Sequence, residues 1–275
     1  MNIRGRKQGY TIVEVLVVLA VTGALLGSAF YFMNGRSRRL AFENDITAFR
    51  TKLDDTINTV ASGYYSRTAD FSCSSSNNGP SINSSGTNAR GTNQDCQYLG
   101  RGIHFNKGWD YYYIHNVIGL RKSSTGLAQT LAEVKPKVLS LSASYTSSVE
   151  TAEKVDFFNT TLVKTKTYQG TNEILSTSRR GFIGFISSLP SYSSLSGSAT
   201  SVGSQKVELY TINDSADINN INLSQSKNNF VDWFNNNTDW SKLVSVDKYE
   251  VCFDSKGSNQ RGIVAVGQDG SDTKT

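Results

Sequence analysis

The sequence predicts an α+β protein: a long N-terminal helix, transmembrane in its first half and amphipathic in its second, packed on a head of antiparallel β-sheet. Three observations carry that prediction. Residues 10–33 are almost continuously apolar. From Leu40 the apolar residues return at helical spacing, and no proline occurs before Pro80 to break the run. Beyond about residue 109 the chain turns to short β-branched and aromatic runs separated by Ser, Gly and Asn.

The first element, Tyr10–Met33, reads YTIVEVLVVLAVTGALLGSAFYFM, with only Thr11, Glu14, Thr22 and Ser28 polar. As a helix it would be about 36 Å long, against a hydrocarbon core of roughly 30 Å. It is therefore expected to cross a membrane once. Arg4, Arg6 and Lys7 precede it and favour a cytoplasmic N-terminus, which puts the rest of the chain outside. Arg36, Arg38 and Arg39 follow it and oppose that orientation. Residues 1–9 hold three of the cations behind a net charge of +5. The basic balance thus belongs largely to the membrane flanks and says little about nucleic acid.

Glu14 is the anomaly in this span. A carboxylate costs on the order of 2.5–3.5 kcal/mol at the centre of a membrane helix and less near its edge. Such a residue needs a partner, and within the chain none is expected at helical spacing, where the neighbours are Tyr10, Thr11, Val17 and Val18. Cleavage between Gly9 and Tyr10 would create an α-amino group one helical turn away. In a bundle of such helices each Glu14 would pair with its own or a neighbour's amine, and the buried acid becomes a registration device between subunits.

A basic leader (residues 1–9) ending in Gly9, then Tyr10, Thr11, two branched apolar residues and Glu14 fifth after the cut form the pattern GYTIVEV. It resembles the class III signal of type IV pilins and type II secretion pseudopilins, over about 25 residues. The resemblance implies cleavage after Gly9 by a prepilin peptidase, N-methylation of Tyr10, and subunit assembly guided by Glu14 and Thr11. It implies as partners other pilin subunits, an inner-membrane assembly platform with its ATPase, and membrane lipid before assembly. The mature chain would end in an extracellular or periplasmic filament. Two features depart from the family: Tyr10 stands where phenylalanine is usual, and the proline often found part-way along the helix is absent, leaving Gly23, Gly27 and Gly35 as candidate flexible points. The chain is large for a main building block, which points to a minor pilin or pseudopilin. The competing reading is an uncleaved, single-pass, membrane-anchored extracellular binding domain. A conventional secretory peptide cut near Gly27-Ser28-Ala29 is disfavoured by the length of its apolar region and by Glu14.

Residues 34–62 are read as the amphipathic continuation of the helix. Phe42, Ile46, Phe49, Leu53, Ile57 and Val60 form one stripe, with Glu43, Asp45, Arg50, Lys52, Asp54 and Asp55 off it, and Gly63 is the expected stop. Residues 63–108 are read as a polar surface loop region, because 72–97 have almost no apolar content. The chain has three cysteines. In an oxidising compartment the expected bridge is Cys73–Cys96, which would tether that loop. Spacing does not fix connectivity, so pairing of Cys252 with either stays open.

Residues 109–275 are read as the β-rich head. Expected strands are Tyr111–Leu120, Val138–Tyr145, Val155–Thr167, Gly181–Ile186, Lys206–Ile212, Tyr249–Asp254 and Gly262–Gly267, the last two as a hairpin. Short helices are expected at Leu127–Val134 and Asn228–Asn235.

Nothing in the pattern asks for catalysis. His104 and His115 lie at no recognised metal-ligand spacing, no nucleophile-elbow, zinc-protease or phosphate-loop motif occurs, and neither metal nor cofactor is expected. The aromatic runs Trp109–Tyr113 and Phe230–Phe234 are expected to fill the core rather than to form a binding platform. Lys135, Lys137, Lys164, Lys166, Arg179 and Arg180 would be phosphate contacts if the filament took up DNA, and are otherwise solvated faces.

Overall fold

The computed structural model of the chain describes residues 11–63, 72–76, 79–83, 95–123, 126–128, 130–138, 152–177, 180–187, 206–212, 230–231, 234–235, 242–257, 259–267 and 270–274. Its first element, α1 (Ile12–Ala61), is an unbroken helix of 50 residues, about 75 Å long at 1.5 Å per residue. Thr11 caps its start. Ser62 caps its end, followed by Gly63 at φ 62°, the left-handed position that favours glycine. The threonines of its second half, Thr47, Thr51, Thr56 and Thr59, each donate a hydroxyl to the carbonyl four residues back. They keep their polar atoms within the helix.

Two large antiparallel sheets form the head. The seven-stranded sheet runs in the order β13 (Leu243–Val246), β12 (Val207–Ile212), β11 (Arg180–Ser187), β3 (Cys96–Asn106), β4 (Tyr111–Leu120) and β7 (Lys137–Val138), with β8 (Glu153–Asp156) also paired to β4. The five-stranded sheet runs β10 (Asn172–Thr177), β9 (Thr160–Gln169), β14 (Lys248–Ser255), β15 (Arg261–Gly267) and β16 (Gly270–Lys274). Smaller hairpins are β1 (Ser72–Ser76) with β2 (Gly79–Asn83), and β5 (Lys122–Ser123) with β6 (Gly126–Leu127). A four-residue helix, α2 (Leu131–Val134), follows β6.

One core joins the helix to both sheets. Phe42, Ile46, Phe49, Leu53 and Val60 of α1 are each 1% exposed, with Ile57 partly buried beside them. They pack with Ile103, Tyr112, Ile183 and Phe185 of the seven-stranded sheet and with Leu162, Tyr249, Val251, Phe253 and Val264 of the five-stranded one. Burying each such side chain contributes roughly 1.5–3 kcal/mol. The predicted stripe is the surface on which the head is built.

Several expectations need correction. The region 63–108 is not a surface loop throughout: Ser72–Ser76 and Gly79–Asn83 pair as β1 and β2, and β3 lies inside its sheet, between β11 and β4. The alternation of β3 is hidden by glycines that close packing requires. A Cβ on Gly100 would stand 1.9 Å from the Phe185 carbonyl oxygen, and one on Gly102 would stand 2.4 Å from the Phe182 ring. The expected strand Val155–Thr167 is divided into β8 and β9 by a turn at Phe157–Asn159. Of Val138–Tyr145 only Val138 is paired, in β7, and the rest beyond it lies outside the described residues. The helix expected from Leu127 begins only at Leu131, because Gly126-Leu127 pair as β6 and Thr130 supplies the capping box. Phe230, Val231, Phe234 and Asn235 are helical where described.

Candidate functional site

The site begins where the helix begins. Thr11 has extended backbone (φ −75°, ψ 149°) and its hydroxyl oxygen accepts the Glu14 N–H at 3.3 Å, while Glu14 Oε2 accepts the Thr11 N–H at 3.4 Å. This reciprocal capping box satisfies two of the amide groups that a helix start leaves without intrahelical partners. It corrects the expectation that Glu14 has no partner in its own chain. The side chains at helical spacing offer no cation, but the first turn itself offers an N–H and the positive end of the helix dipole. Gly9 and Tyr10, the expected cut site, lie outside the described residues.

From Ile12 to Met33 the helix is uncovered. Ile12 is 80% exposed, and an 18-residue window of mean hydropathy 2.2 has none of its residues buried. It is long and apolar enough to cross a membrane. Its polar side chains turn inward: Thr22 donates to the Val18 carbonyl at 2.8 Å and Ser28 to that of Leu25 at 2.8 Å. That suits a hydrocarbon setting, where unsatisfied donors are costly. The Cβ positions of Gly23, Gly27 and Gly35 meet nothing within 4 Å, which leaves room for a second helix to approach closely.

Further along, the same helix is fixed to the head by one buried acid. Asp45 is 6% exposed. Its carboxylate accepts the N–H of Phe158 at 3.3 Å, the N–H of Asn159 at 2.7 Å and the hydroxyl of Thr160 at 2.8 Å. Asn159 Nδ2 in turn donates to the Arg38 carbonyl at 2.9 Å, and Arg38 donates to the Gly257 carbonyl at 3.3 Å. Four residues on, the Phe49 ring stands edge-to-face with Tyr112 (5.1 Å) and Phe253 (5.2 Å), one from each sheet. Lys52 and Glu153 form an ion pair at 2.7 Å. The sequence pattern places Asp45 off the apolar stripe. Its position directly before Ile46 of the stripe was the available signal that it sits at the edge of the buried face.

The remaining candidates scatter. Cys96 is disulfide-bonded and Cys252 is a free thiol, so the two are not partners. Burial pushes the Cys252 thiol pKa up. The Cys73 side chain lies outside the described residues. His104 and His115 are buried at 2% and 1% exposure, their rings 6.2 Å apart, with His104 stacked on Phe230 at 4.0 Å. Among the described residues no three His, Cys, Asp or Glu side chains group so that they could hold a metal. Of the aromatic runs, Tyr112, Phe230 and Phe234 are core. Trp109, Tyr111 and Tyr113 are only half-buried, with Trp109 and Tyr111 stacked at 4.5 Å and the Lys154 ammonium 4.4 Å from the Tyr111 centroid. Among the described residues, the cations named for DNA lie on different sheets. Lys137 is in the seven-stranded sheet, its pKa lowered by burial, whereas Lys164 and Lys166 lie on the five-stranded one, with Lys166 paired to Glu173. Arg179 is outside the described residues.

Neither curated proteins nor solved structures yielded a match to this chain. A family model described as the prokaryotic N-terminal methylation motif matches residues 4–30, from the basic leader through the first half of the apolar helix. The match takes in Gly9, Tyr10, Thr11 and Glu14. Residues 4–30 thus carry a prokaryotic N-terminal methylation motif, which supports a type IV pilin-like prepilin signal.

Proposed function

We propose that the chain is a structural subunit, a minor pilin or pseudopilin, of a type IV pilus-like or type II secretion-like filament. The observation that carries this reading is the division of α1. Its first half is bare and apolar, its second half is buried in the head, and it opens on Thr11 and Glu14 directly after the Gly9–Tyr10 bond. A prepilin peptidase cuts that bond, and the new Tyr10 amine is methylated, which keeps its positive charge. In the capping box Glu14 uses Oε2 on its own Thr11 N–H. The other oxygen is left for the ammonium of an adjacent subunit, which sets the stagger between helices as they leave the lipid for the filament core. An assembly platform and its ATPase supply the work of extraction. No catalytic role is assigned to the head. The Cys73–Cys96 bridge is retained as part of this reading, with Cys96 bonded and Cys252 free in support.

The test is intact mass and N-terminal sequencing of the chain from cells with and without an active prepilin peptidase. The expected result is loss of residues 1–9 and gain of one methyl group only where the peptidase is present. Retention of the leader with the peptidase active would replace this function with that of an uncleaved, membrane-anchored binding domain. In cleaved chains, Glu14→Val should leave membrane insertion intact and reduce incorporation into fibres.

A further inference from the structure

The end of the head nearest the apolar span is built from three turns. Arg38 of α1 holds the turn after β14 through the Gly257 carbonyl, Asn159 of the turn before β9 holds the Arg38 carbonyl, and Lys256 pairs with Asp110 of the turn between β3 and β4 at 2.8 Å. Lys256 N–H also donates to the Asn159 carbonyl at 2.8 Å, so the three turns form one connected rim. Arg38 lies five residues beyond Met33, a rise of about 7.5 Å. The headgroup layer on each side of a bilayer is roughly 5–7 Å thick. Helical side chains lean toward the helix N-terminus, which for α1 means back toward the span. Arg36 and the part of the rim tied to Arg38 therefore stand at headgroup depth once the span is inserted, and the Phe158 backbone, held by Asp45 about 18 Å beyond Met33, stands at its outer edge.

Its composition suits that depth. The exposed acids here are engaged, Glu43 by Arg39, Asp110 by Lys256 and Asp254 by Arg261, while the buried Asp45 is held by neutral donors. Arg36, Arg38 and Lys107 are exposed cations in excess of those pairs. Phe158, in the turn that Asp45 holds, is 89% exposed, and Trp109 is half-exposed beside the Asp110 turn. A large bare aromatic on a fixed turn, flanked by arginine and lysine, has the composition of an interfacial anchor. We propose that this rim is a docking surface for anionic phospholipid headgroups, holding the head upright on the membrane before the subunit is extracted. The proposal rests on the membrane-spanning reading of Tyr10–Met33. It also accounts for the arginines that follow the span against the usual charge bias: they meet the outer headgroups and the head's own carbonyl.

Hydrogen exchange of the full chain in lipid nanodiscs tests this. The amides of Phe158, Asn159 and Lys256 are hydrogen-bonded across the rim, so they exchange only when it opens. In discs containing phosphatidylglycerol they should exchange at least about five-fold more slowly than in phosphatidylcholine discs, the factor that one engaged cation supplies. The difference should shrink in high salt and in the Arg36→Gln/Lys107→Gln double variant, neither of which touches a core residue. Equal exchange in the two lipids, with residues 12–33 protected in both, would overturn the docking surface while leaving the span in place. Failure of the chain to enter discs at all would instead refute the membrane-spanning reading. Slowing that depends on protein-to-lipid ratio and not on lipid charge would assign the rim to a neighbouring copy and also overturn the proposal.

Discussion

Replacing Asp45 with alanine should loosen the whole head from its shaft. Three donors converge on this carboxylate, two of them backbone amides of the Phe158–Asn159 turn, and the site is almost closed to solvent. A hydrogen bond to a charged group contributes about 1.5–3 kcal/mol, but three on one acceptor are not additive. Removing the acceptor leaves two backbone amides without a partner, each costing about 1–3 kcal/mol if buried. We therefore expect a loss of about 3–4 kcal/mol for Asp45→Ala. For a domain of this size that lowers Tm by roughly 6–15 °C. Thr160→Val removes a single donor and should cost about 1 kcal/mol. The assay is thermal unfolding of the detergent-solubilised full chain, followed by near-ultraviolet circular dichroism, in the two single variants and the double. Because both side chains meet in one hydrogen bond, the double variant should lose clearly less than the sum of the singles. A Tm change of under about 2 °C for Asp45→Ala, or strict additivity in the double variant, would refute the mount.

Three further outcomes follow from the same contacts. Gly102→Ala places a Cβ against the Phe182 ring and should destabilise by about 1–3 kcal/mol, read as a lower denaturant midpoint with unchanged slope. The Cys252 thiol, its pKa raised by burial and on a half-covered strand, should alkylate at pH 8 much more slowly in the native chain than in the urea-unfolded one, as mass spectrometry will show. The Lys256 hydrogen bond holds the Asp110 carboxyl below its usual 3.8. Its contribution is thus fully present above that value and is lost as pH falls through the lowered one. Exchange at the Lys256 amide should be indifferent to pH-linked opening near neutrality and accelerate, after correction for intrinsic rates, only in strong acid.

The helix was legible because helical spacing resumes at Leu40 after the apolar span with no proline between, and of the six stripe positions Phe42, Ile46, Phe49, Leu53 and Val60 are buried and Ile57 partly buried. The strands at Tyr111–Leu120 and Gly262–Gly267 were legible as β-branched and aromatic runs bounded by turn residues. β3 was not, because Gly100 and Gly102 carry no hydrophobicity of their own and are required by the approach of β11, which sequence spacing does not reveal. The same limit applied to Asp45. Its donors lie more than 110 residues away, so its pattern was that of an ordinary solvent-facing acid. Thr11 and Glu14 were visible as a motif, but the capping box between them depends on where the helix starts.

That starting point bears on how one acid serves both states of the chain. A carboxylate three residues into a helix is favoured there by the dipole and by the N-cap amide whether or not the leader has been cut. Glu14 is therefore tolerated near the edge of the span before processing, and cleavage need not rescue an unpaired charge. Under the proposed processing, cleavage would add an ammonium at the residue before the cap, for a neighbouring subunit to meet. Selectivity for assembled over membrane-bound subunits then rests on the contact between chains, not on relief of strain within one. The prediction separates from the rescue argument at a single variant. Glu14→Gln keeps a side-chain oxygen for the Thr11 amide but carries no charge. It should leave the precursor as stable in the membrane as the parent chain, by protease protection of the span, and yet fall in fibre incorporation as far as Glu14→Val does. Incorporation at the parent level would show that the capping hydrogen bond, and not the charge, is what assembly uses.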